Sequence, residues 1–312
     1  MKRNESFLTG SIPKALIKFA IPLMLANILQ LLYSTVDLYI VGNYATTADA
    51  SGVSTASMMM TAITMAVSGF TTGVTVIIGQ FAGGKKERDV SKTVGTAAIF
   101  FAIMAIVITI PMLIFNHGLV ELLNAPAEAI TQTRQYLFIC SSGLIFIVGY
   151  NLVGGIMRGM GNSTAPLMFV AVASVVNVIA DYVLVKIFSM GAAGAAIATV
   201  GSQGISFIFS LMYLKIRGVG FAFSRHDIRL RAGYVKKIFK IGGPISLQEF
   251  LVNLFFVLIT MVINGKGVEA SAAAGFVEKI LMIVCMPILA FSSAVAAMSA
   301  NNIGAGNPAR AR

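Results

Sequence analysis

The sequence has few charged residues for its length. Only 11% of its 312 residues are Asp, Glu, Lys or Arg, whereas soluble globular proteins carry about 25%. Hydrophobic residues make up 57% of the chain, and the mean hydropathy is +0.87. Alternation of apolar and polar residues with a period of two is also absent, which argues against a transmembrane β-barrel. The shortage of charge therefore predicts an all-α polytopic membrane protein.

Cysteine is scarce, and enzyme motifs are missing. The two cysteines, Cys140 and Cys285, both fall within apolar runs, which is typical of small buried hydrophobic residues rather than of a disulfide framework. The segment GGKKERD has no Gly-Lys-Ser/Thr and follows no strand, so it is not a phosphate-binding loop. The sequence also has no nucleophile–base motif and no metal-ligand cluster. We therefore predict that the protein is not an enzyme and has no resident cofactor.

The charges that are present are mostly basic, with a net charge of +11. They lie in the gaps between apolar runs, which is a sign of membrane topology and does not predict nucleic acid as a partner. A bilayer-spanning helix needs about 20 residues. We predict eight spans, at about 15–42, 51–81, 93–115, 135–156, 165–188, 192–214, 241–264 and 275–303.

The basic residues also predict the orientation of the chain. With eight spans, 19 Lys and Arg residues fall on one side of the membrane and 4 on the other. The positive-inside rule then places both termini in the cytoplasm. We therefore predict a multi-pass protein of the plasma (inner) membrane.

An internal repeat is visible when the chain is shifted by 222 residues. The shift brings Pro22 onto Pro244 and Gly84 onto Gly306, so a Lys-x-x-x-Pro helix start and a glycine-rich basic loop recur at the same spacing. Six spans separate the two copies, and an even number gives them the same orientation, as in transporters built from two parallel six-helix halves. We predict a six-helix first lobe at 1–214, a basic cytoplasmic linker at 215–240 and a two-helix partial second lobe at 241–312.

Several segments resemble the multidrug and toxic compound extrusion (MATE) family. They are the P-x14-D-x4-G pattern of Pro22, Asp37 and Gly42, then GQFAGGKKERDV, GGIMRGMGNSTAP, NVIADYVLV and the later GAGN. The resemblance implies twelve helices in two lobes, and export of organic, often cationic, compounds driven by Na+ or H+. On this basis we expect the chain to be truncated after the eighth of twelve helices.

Acids inside the apolar runs predict an ion site. Asp37 in the first span and Asp181 in the fifth are surrounded by apolar sequence. A carboxylate inside a membrane costs about 2.5–3.5 kcal/mol even on insertion scales, so such residues usually mark ion or substrate paths. Asn177 lies four residues before Asp181 on the same helical face, and Thr199 of the sixth span is predicted at the same depth.

These four residues suit a small cation. Oxygen ligands of Asp, Asn and Thr side chains bind hard cations such as Na+, and two neighbouring carboxylates can hold a proton between them. The resemblance independently assigns the family's cation site to the matching Asp and Asn positions. The alternative is that both aspartates are simply solvated near the outer interface.

A substrate cavity is predicted from polar residues of the first and seventh spans. Asn27 falls on Glu249 in the repeat, and Gln248 lies beside Glu249. We predict that these three side chains face a cavity between the lobes, where Glu249 meets a cationic substrate. The alternative is a water-lined face with no substrate.

The combined prediction is a cation-coupled (Na+ or H+) antiporter. It exports small organic molecules across the lipid bilayer by alternating access. A flippase of lipid-linked saccharides is an alternative, but it would need cationic residues in the central cavity, where this sequence predicts acids. The other alternative is an inactive fragment, or one that assembles with further copies, so the oligomeric state stays open.

Overall fold

Long helices make up most of the structure. The computed structural model describes residues 7–218, 221, 223–264 and 268–311, and this part of the chain contains no strand. The helices are α1 (Ile12–Tyr44), α2 (Thr47–Gly83), α3 (Glu87–Ile114), α4 (Asn116–Leu122), α5 (Ile130–Ser142), α6 (Leu144–Gly159), α7 (Thr164–Asp181), α8 (Gly191–Arg217), α9 (Ala232–Asn264), α10 (Val268–Gly304) and α11 (Pro308–Ala311).

The helix lengths confirm an all-α polytopic membrane protein. Within the described residues, six helices are long and apolar enough to cross a membrane, and one bent pair of helices makes a seventh candidate. The seventh predicted span, 241–264, lies inside α9, and the eighth, 275–303, lies inside α10.

The fourth predicted span, 135–156, is not one continuous helix. Its residues belong to α5 and α6, which are bent by 51° at a break around Gly143. A Cβ atom at residue 143 would collide with the side chain of Val200 on α8, so the glycine lets α8 pack into the bend. The bent pair still makes one candidate span. The break within it leaves no signal in the sequence, because it depends on a distant helix and not on local hydropathy.

Glycines on α2 let helices of the second lobe approach its backbone. Gly69 and Gly73 face α9, where a Cβ at residue 73 would lie 2.7 Å from the Cα of Gly242. Gly79 and Gly83 face α10 in the same way. Small residues at such crossings allow helices to pack closely in lipid. α2 therefore joins the first lobe to the described part of the second.

The repeat is visible in one turn. After α2 and α10, Lys85 and Gly306 adopt left-handed φ values of 57° and 79°. In both turns the next amide donates to the carbonyl five residues earlier. Lys85 therefore corresponds to Gly306, and the register predicted for this loop, with Gly84 on Gly306, was wrong by one residue.

The segment predicted as the linker, 215–240, is partly helical, because α8 extends into it and α9 begins at Ala232. Between these helices the chain contacts α3. The Ser91 Oγ donates to Asp227 Oδ2 at 2.7 Å, and the Ser224 N–H donates to the same oxygen at 3.1 Å. These two hydrogen bonds lower the pKa of Asp227, and the bond from Ser91 has the larger effect. The connection is thus fastened to the first lobe.

Candidate cation site and central cavity

The two intramembrane acids lie together in the first lobe. Asp37 is near the end of α1, and Asp181 is the last residue of α7, which packs against α1. Only 8% of Asp37 and 0% of Asp181 is exposed. Their carboxyl groups face each other at close range. The structure therefore forms a buried acid pair, here meaning Asp37 and Asp181.

Polar atoms without partners surround the acid pair. Among the described residues, the buried atoms that have no hydrogen-bond partner include Asp37 Oδ1, both Asp181 carboxylate oxygens, both side-chain amide atoms of Asn177 and the Gln203 side-chain oxygen. Asn177 is 1% exposed and lies one turn before Asp181 on α7. Buried polar atoms are normally satisfied, so this concentration of unpaired oxygens makes the place a candidate site for a positive species.

The oxygen set fits a monovalent cation or a proton. It combines two carboxyl groups with neutral amide oxygens, which are ligands of hard cations. In the part of the chain that the structure describes, no group of three or more His, Cys, Asp and Glu side chains is placed to hold a metal ion. The set therefore differs from the ligand groups typical of transition metals.

Tyr33 and Gln203 belong to this neighbourhood, and the sequence analysis missed both. Tyr33 lies one turn before Asp37 on α1, and its hydroxyl is close to the side chains of Gln30 and Gln203. Residues 30, 33 and 37 share one helix face because they follow a three- and four-residue spacing. That spacing was the available sequence signal.

Thr199 lies at the edge of the site. It is half-buried on α8, and its neighbour is the phenol of Tyr136 on α5, another residue that sequence reasoning missed. Gln203, one turn further along α8, carries the unpaired buried oxygen. The structure therefore brings together the predicted Asp37, Asn177 and Asp181, with Thr199 beside Tyr136.

A π-helical turn, Tyr182–Ile187, follows Asp181 directly. Such turns interrupt the regular hydrogen-bond ladder and often occur at functional sites. In this turn, the Lys186 ammonium lies 4.5 Å from the ring centres of both Tyr44 and Tyr182. These contacts connect the end of α1 to the end of α7, which positions both carboxyl groups.

A separate cavity of about 180 Å³ lies among α1, α2, α6, α7 and α10, and is here called the central cavity. Its polar lining residues are Asn27, Gln30, Ser68, Thr72, Thr75, Tyr150, Asn151, Arg158 and Ser293. Asn27 is thus where the sequence analysis placed it, on a cavity that both lobes line.

Gln248 and Glu249 were predicted at this cavity, but neither is among its lining residues. Of the described residues of the second lobe, those that line the cavity belong to α10. α9 instead packs on α2, where the Ser246 Oγ donates to the Ala66 carbonyl at 2.8 Å. Gln248, two residues further on, lies on the opposite side of the helix and is exposed, whereas Glu249 is half-buried.

The charge that lines the central cavity is positive. Arg158 on α6 lines it, and no Asp or Glu is among the lining residues that the structure describes. The sequence predicted acids here, and for the described lining residues that prediction was wrong, because Asp37 and Asp181 face each other inside the first lobe. Arg158 was counted among the basic residues of the cytoplasmic side, and it lies in the last turn of α6.

Comparison with known sequences finds a matching family and several relatives. The profile of the MatE family matches residues 22–183 and 244–312. The "Probable multidrug resistance protein YpnP" of Bacillus subtilis is 28% identical over 97% of this chain and 68% of its own length. The "Probable multidrug resistance protein NorM" of Thermotoga maritima is 25% identical over 95% of this chain and 64% of its own. The chain thus spans about two thirds of the length of these relatives.

Comparison with solved structures finds the same fold. A MOP superfamily transporter from Pyrococcus furiosus superimposes with a TM-score of 0.92 at 23% identity, covering 100% of this chain and 69% of that one. An outward-facing multidrug resistance MATE family transporter gives a TM-score of 0.92 at 22% identity, with the same coverage. At this identity the likeness concerns the arrangement of the helices.

Proposed function

The chain belongs to the MatE family of membrane transporters, which are not enzymes, and we propose on this premise that it exports small organic compounds in exchange for Na+ or H+. The names of its relatives refer to multidrug resistance and multidrug export. The observation that carries the proposal is the buried acid pair with its unpaired oxygens. The excess of basic residues on one side supports cytoplasmic termini, and it remains when Arg158 is left out of the count.

The coupling ion binds at the acid pair. Two carboxylates that face each other away from water repel when both are ionised, and a proton or cation between them removes the repulsion. Asn177 and Gln203 add neutral oxygens that complete the shell of a cation. Release of the ion restores the repulsion and favours a different arrangement of α1 and α7.

The organic substrate binds in the central cavity. α1 connects the two places, because Asn27 and Gln30 line the cavity and Asp37 belongs to the acid pair. α7 does the same through Pro166 at the cavity and Asp181 at the pair. A change in α1 and α7 on ion binding therefore changes the cavity. Exchange follows when ion and substrate favour different states of the lobes.

Ethidium efflux from cells that express this chain tests the proposal. We expect efflux that follows an imposed Na+ or pH gradient, and we expect Asp181→Asn to reduce it to background. Glu121→Gln is the matched control, because this carboxylate is 69% exposed on α4 and contacts only His117 among the described residues. Efflux of Asp181→Asn at the wild-type rate would refute the site.

Direct ion binding separates the site from the full transport cycle. The purified chain in detergent should bind radioactive sodium, or release protons when ethidium is added, and Asp37→Asn should abolish either signal. Whichever signal appears identifies the coupling ion. If neither appears in the wild type, the acid pair is not the ion site.

A further inference from the structure

Arg158 is the charged side chain among the residues that line the central cavity. It lies in the last turn of α6 and is half-buried. Its Nη1 atom is 3.4 Å from the place where a Cβ would stand on Gly154, which also lines the cavity. The absence of a side chain at residue 154 leaves room for the guanidinium beside the cavity.

The described residues do not neutralise this arginine. None of their carboxylates forms an ion pair with Arg158, and none of their groups hydrogen-bonds to its guanidinium. Its electrostatic neighbour is the phenol of Tyr150, another lining residue. The carbonyl end of α6 compensates a cation only modestly. Since a charge held away from bulk water is normally paired, Arg158 has the capacity for an anionic partner.

The remaining lining of the cavity would accept an anion. In the described part of the chain it consists of amides, hydroxyls and apolar groups, with no acid that would repel a negative charge. Asn27 and Gln30 on α1 bring side-chain amides that can donate hydrogen bonds. The negative groups of the first lobe, Asp37 and Asp181, are not among the residues that line this cavity.

From these observations we propose that Arg158 binds the carboxylate or phosphate group of an organic substrate in the central cavity. The planar guanidinium offers parallel N–H donors that match the two oxygens of such a group. This contact adds organic anions and zwitterions to the compounds that the cavity accepts. The inference rests on the proposed function only in taking this cavity as the substrate site.

Equilibrium binding of two fluorescent probes tests the proposal. The probes are 7-diethylaminocoumarin-3-carboxylate and its uncharged 3-carboxamide, which differ only in the charged group. The chain is placed in nanodiscs of phosphatidylcholine, so that anionic lipid does not compete, and fluorescence anisotropy gives each Kd. We expect the carboxylate to bind about tenfold more tightly than the amide or better, which is the usual effect of a hydrogen-bonded charge.

Variants assign this preference to Arg158. Arg158→Gln should weaken carboxylate binding to the level of the amide and leave amide binding unchanged. Arg158→Lys should retain part of the preference, because it keeps the charge and loses the planar fork. Arg217→Gln, at the exposed end of α8, is the matched control and should bind like the wild type.

Three outcomes would overturn the proposal. They are equal affinity of the wild type for both probes, an equal loss of both probes in Arg158→Gln, and a loss in Arg217→Gln as large as in Arg158→Gln. The second outcome would mean that Arg158 supports the fold and not the ligand. Because binding is measured without an ion gradient, the result stands whether or not the chain exports ethidium. Asp37→Asn should keep the probe preference even where it abolishes ion binding.

Discussion

The acid pair and the central cavity are two polar places with opposite character. The pair is buried inside the first lobe and carries two carboxyl groups with unpaired oxygens around them. The cavity lies between helices of both lobes, and its charged residue is Arg158. α1 and α7 contribute to both. The acids lie on α1 and α7 and the arginine lies on α6, so charges of opposite sign are kept apart, while α1 and α7 reach both places and connect them.

The same contrast separates two kinds of polar residue along α1. Asn27 and Gln30 line the cavity, whereas Asp37 lies farther along the helix and is buried against α7. Tyr33 stands between them, close to Gln30 and Gln203. The helix therefore carries a continuous polar face from the cavity to the acid pair, with a neutral phenol at the boundary.

Breaking the acid pair should have the largest effect. We expect Asp181→Asn to abolish ion-coupled efflux and also to raise the melting temperature by a few degrees, because it removes the repulsion between two buried carboxylates. The Tm can be followed with a thiol-reactive fluorophore in a Cys285→Ala background, where the buried Cys140 reacts only on unfolding.

The Glu121→Gln variant is the control for this experiment and should leave both the Tm and the efflux unchanged. A lower Tm for Asp181→Asn would show that the carboxylate stabilises the fold. The acid pair would then serve to stabilise the fold. It would not be a binding site whose two carboxylates destabilise the fold when no ion is bound.

Reversing the charge of the cavity should have the next largest effect. Arg158→Glu should make the cavity prefer cations, so ethidium should bind about tenfold more tightly, and the coumarin carboxylate should lose its advantage over the amide. Fluorescence titration in the same nanodiscs measures both changes. Unchanged ethidium affinity would show that residue 158 does not face the bound ligand.

Removing the phenol between the two places should have a moderate effect. Tyr33→Phe should leave ion binding and ethidium binding intact when each is measured alone. In the wild type, binding of one ligand changes the Kd of the other, and Tyr33→Phe should make this change about fivefold smaller. A fivefold change corresponds to the loss of one hydrogen bond. Tyr39→Phe, 65% exposed on the same helix, is the control. Equal coupling in both variants would place the connection elsewhere in α1 or α7.

The sequence predicted the acid pair better than the cavity, and there is a physical reason. Asp37 and Asp181 stand out because an acid in an apolar run is expensive and therefore rare. Tyr33 and Gln203 do not stand out, because neutral polar residues are tolerated in membrane helices. Arg158 was predicted only as a charge of the cytoplasmic side, because a basic residue near the end of a span looks the same in sequence whether or not it lines a cavity.

The fold, like the candidate site, was predicted only in part. Hydropathy located the membrane helices, since burial in lipid depends on local composition. The bend at Gly143 and the one-residue register change at Lys85 depend on Val200 of another helix and on a left-handed backbone angle. Neither leaves a signal in local hydropathy. The second-lobe candidates Gln248 and Glu249 were predicted as polar residues of the seventh span, and the repeat matched Glu249 to Asn27. α9 instead packs on α2, and none of its described residues lines the cavity.

Asp227 provides an acid outside the membrane for comparison, and the smallest effect is expected there. The pKa of Asp227 is lowered in the folded chain, chiefly by the Ser91 hydroxyl. The ionised carboxylate therefore stabilises the fold at pH values above its ordinary pKa of 3.8, and this contribution is lost as the pH falls below that value. We expect a slight drop in Tm for Asp227→Asn at pH 7, which disappears near pH 3, and the same drop for Ser91→Ala. Melting curves at both pH values measure it, with Glu121→Gln as control. A difference from wild type that is the same at both pH values would mean that charge does not hold this segment on α3, and that the neutral hydrogen bond from the Thr96 hydroxyl to the Arg229 carbonyl suffices.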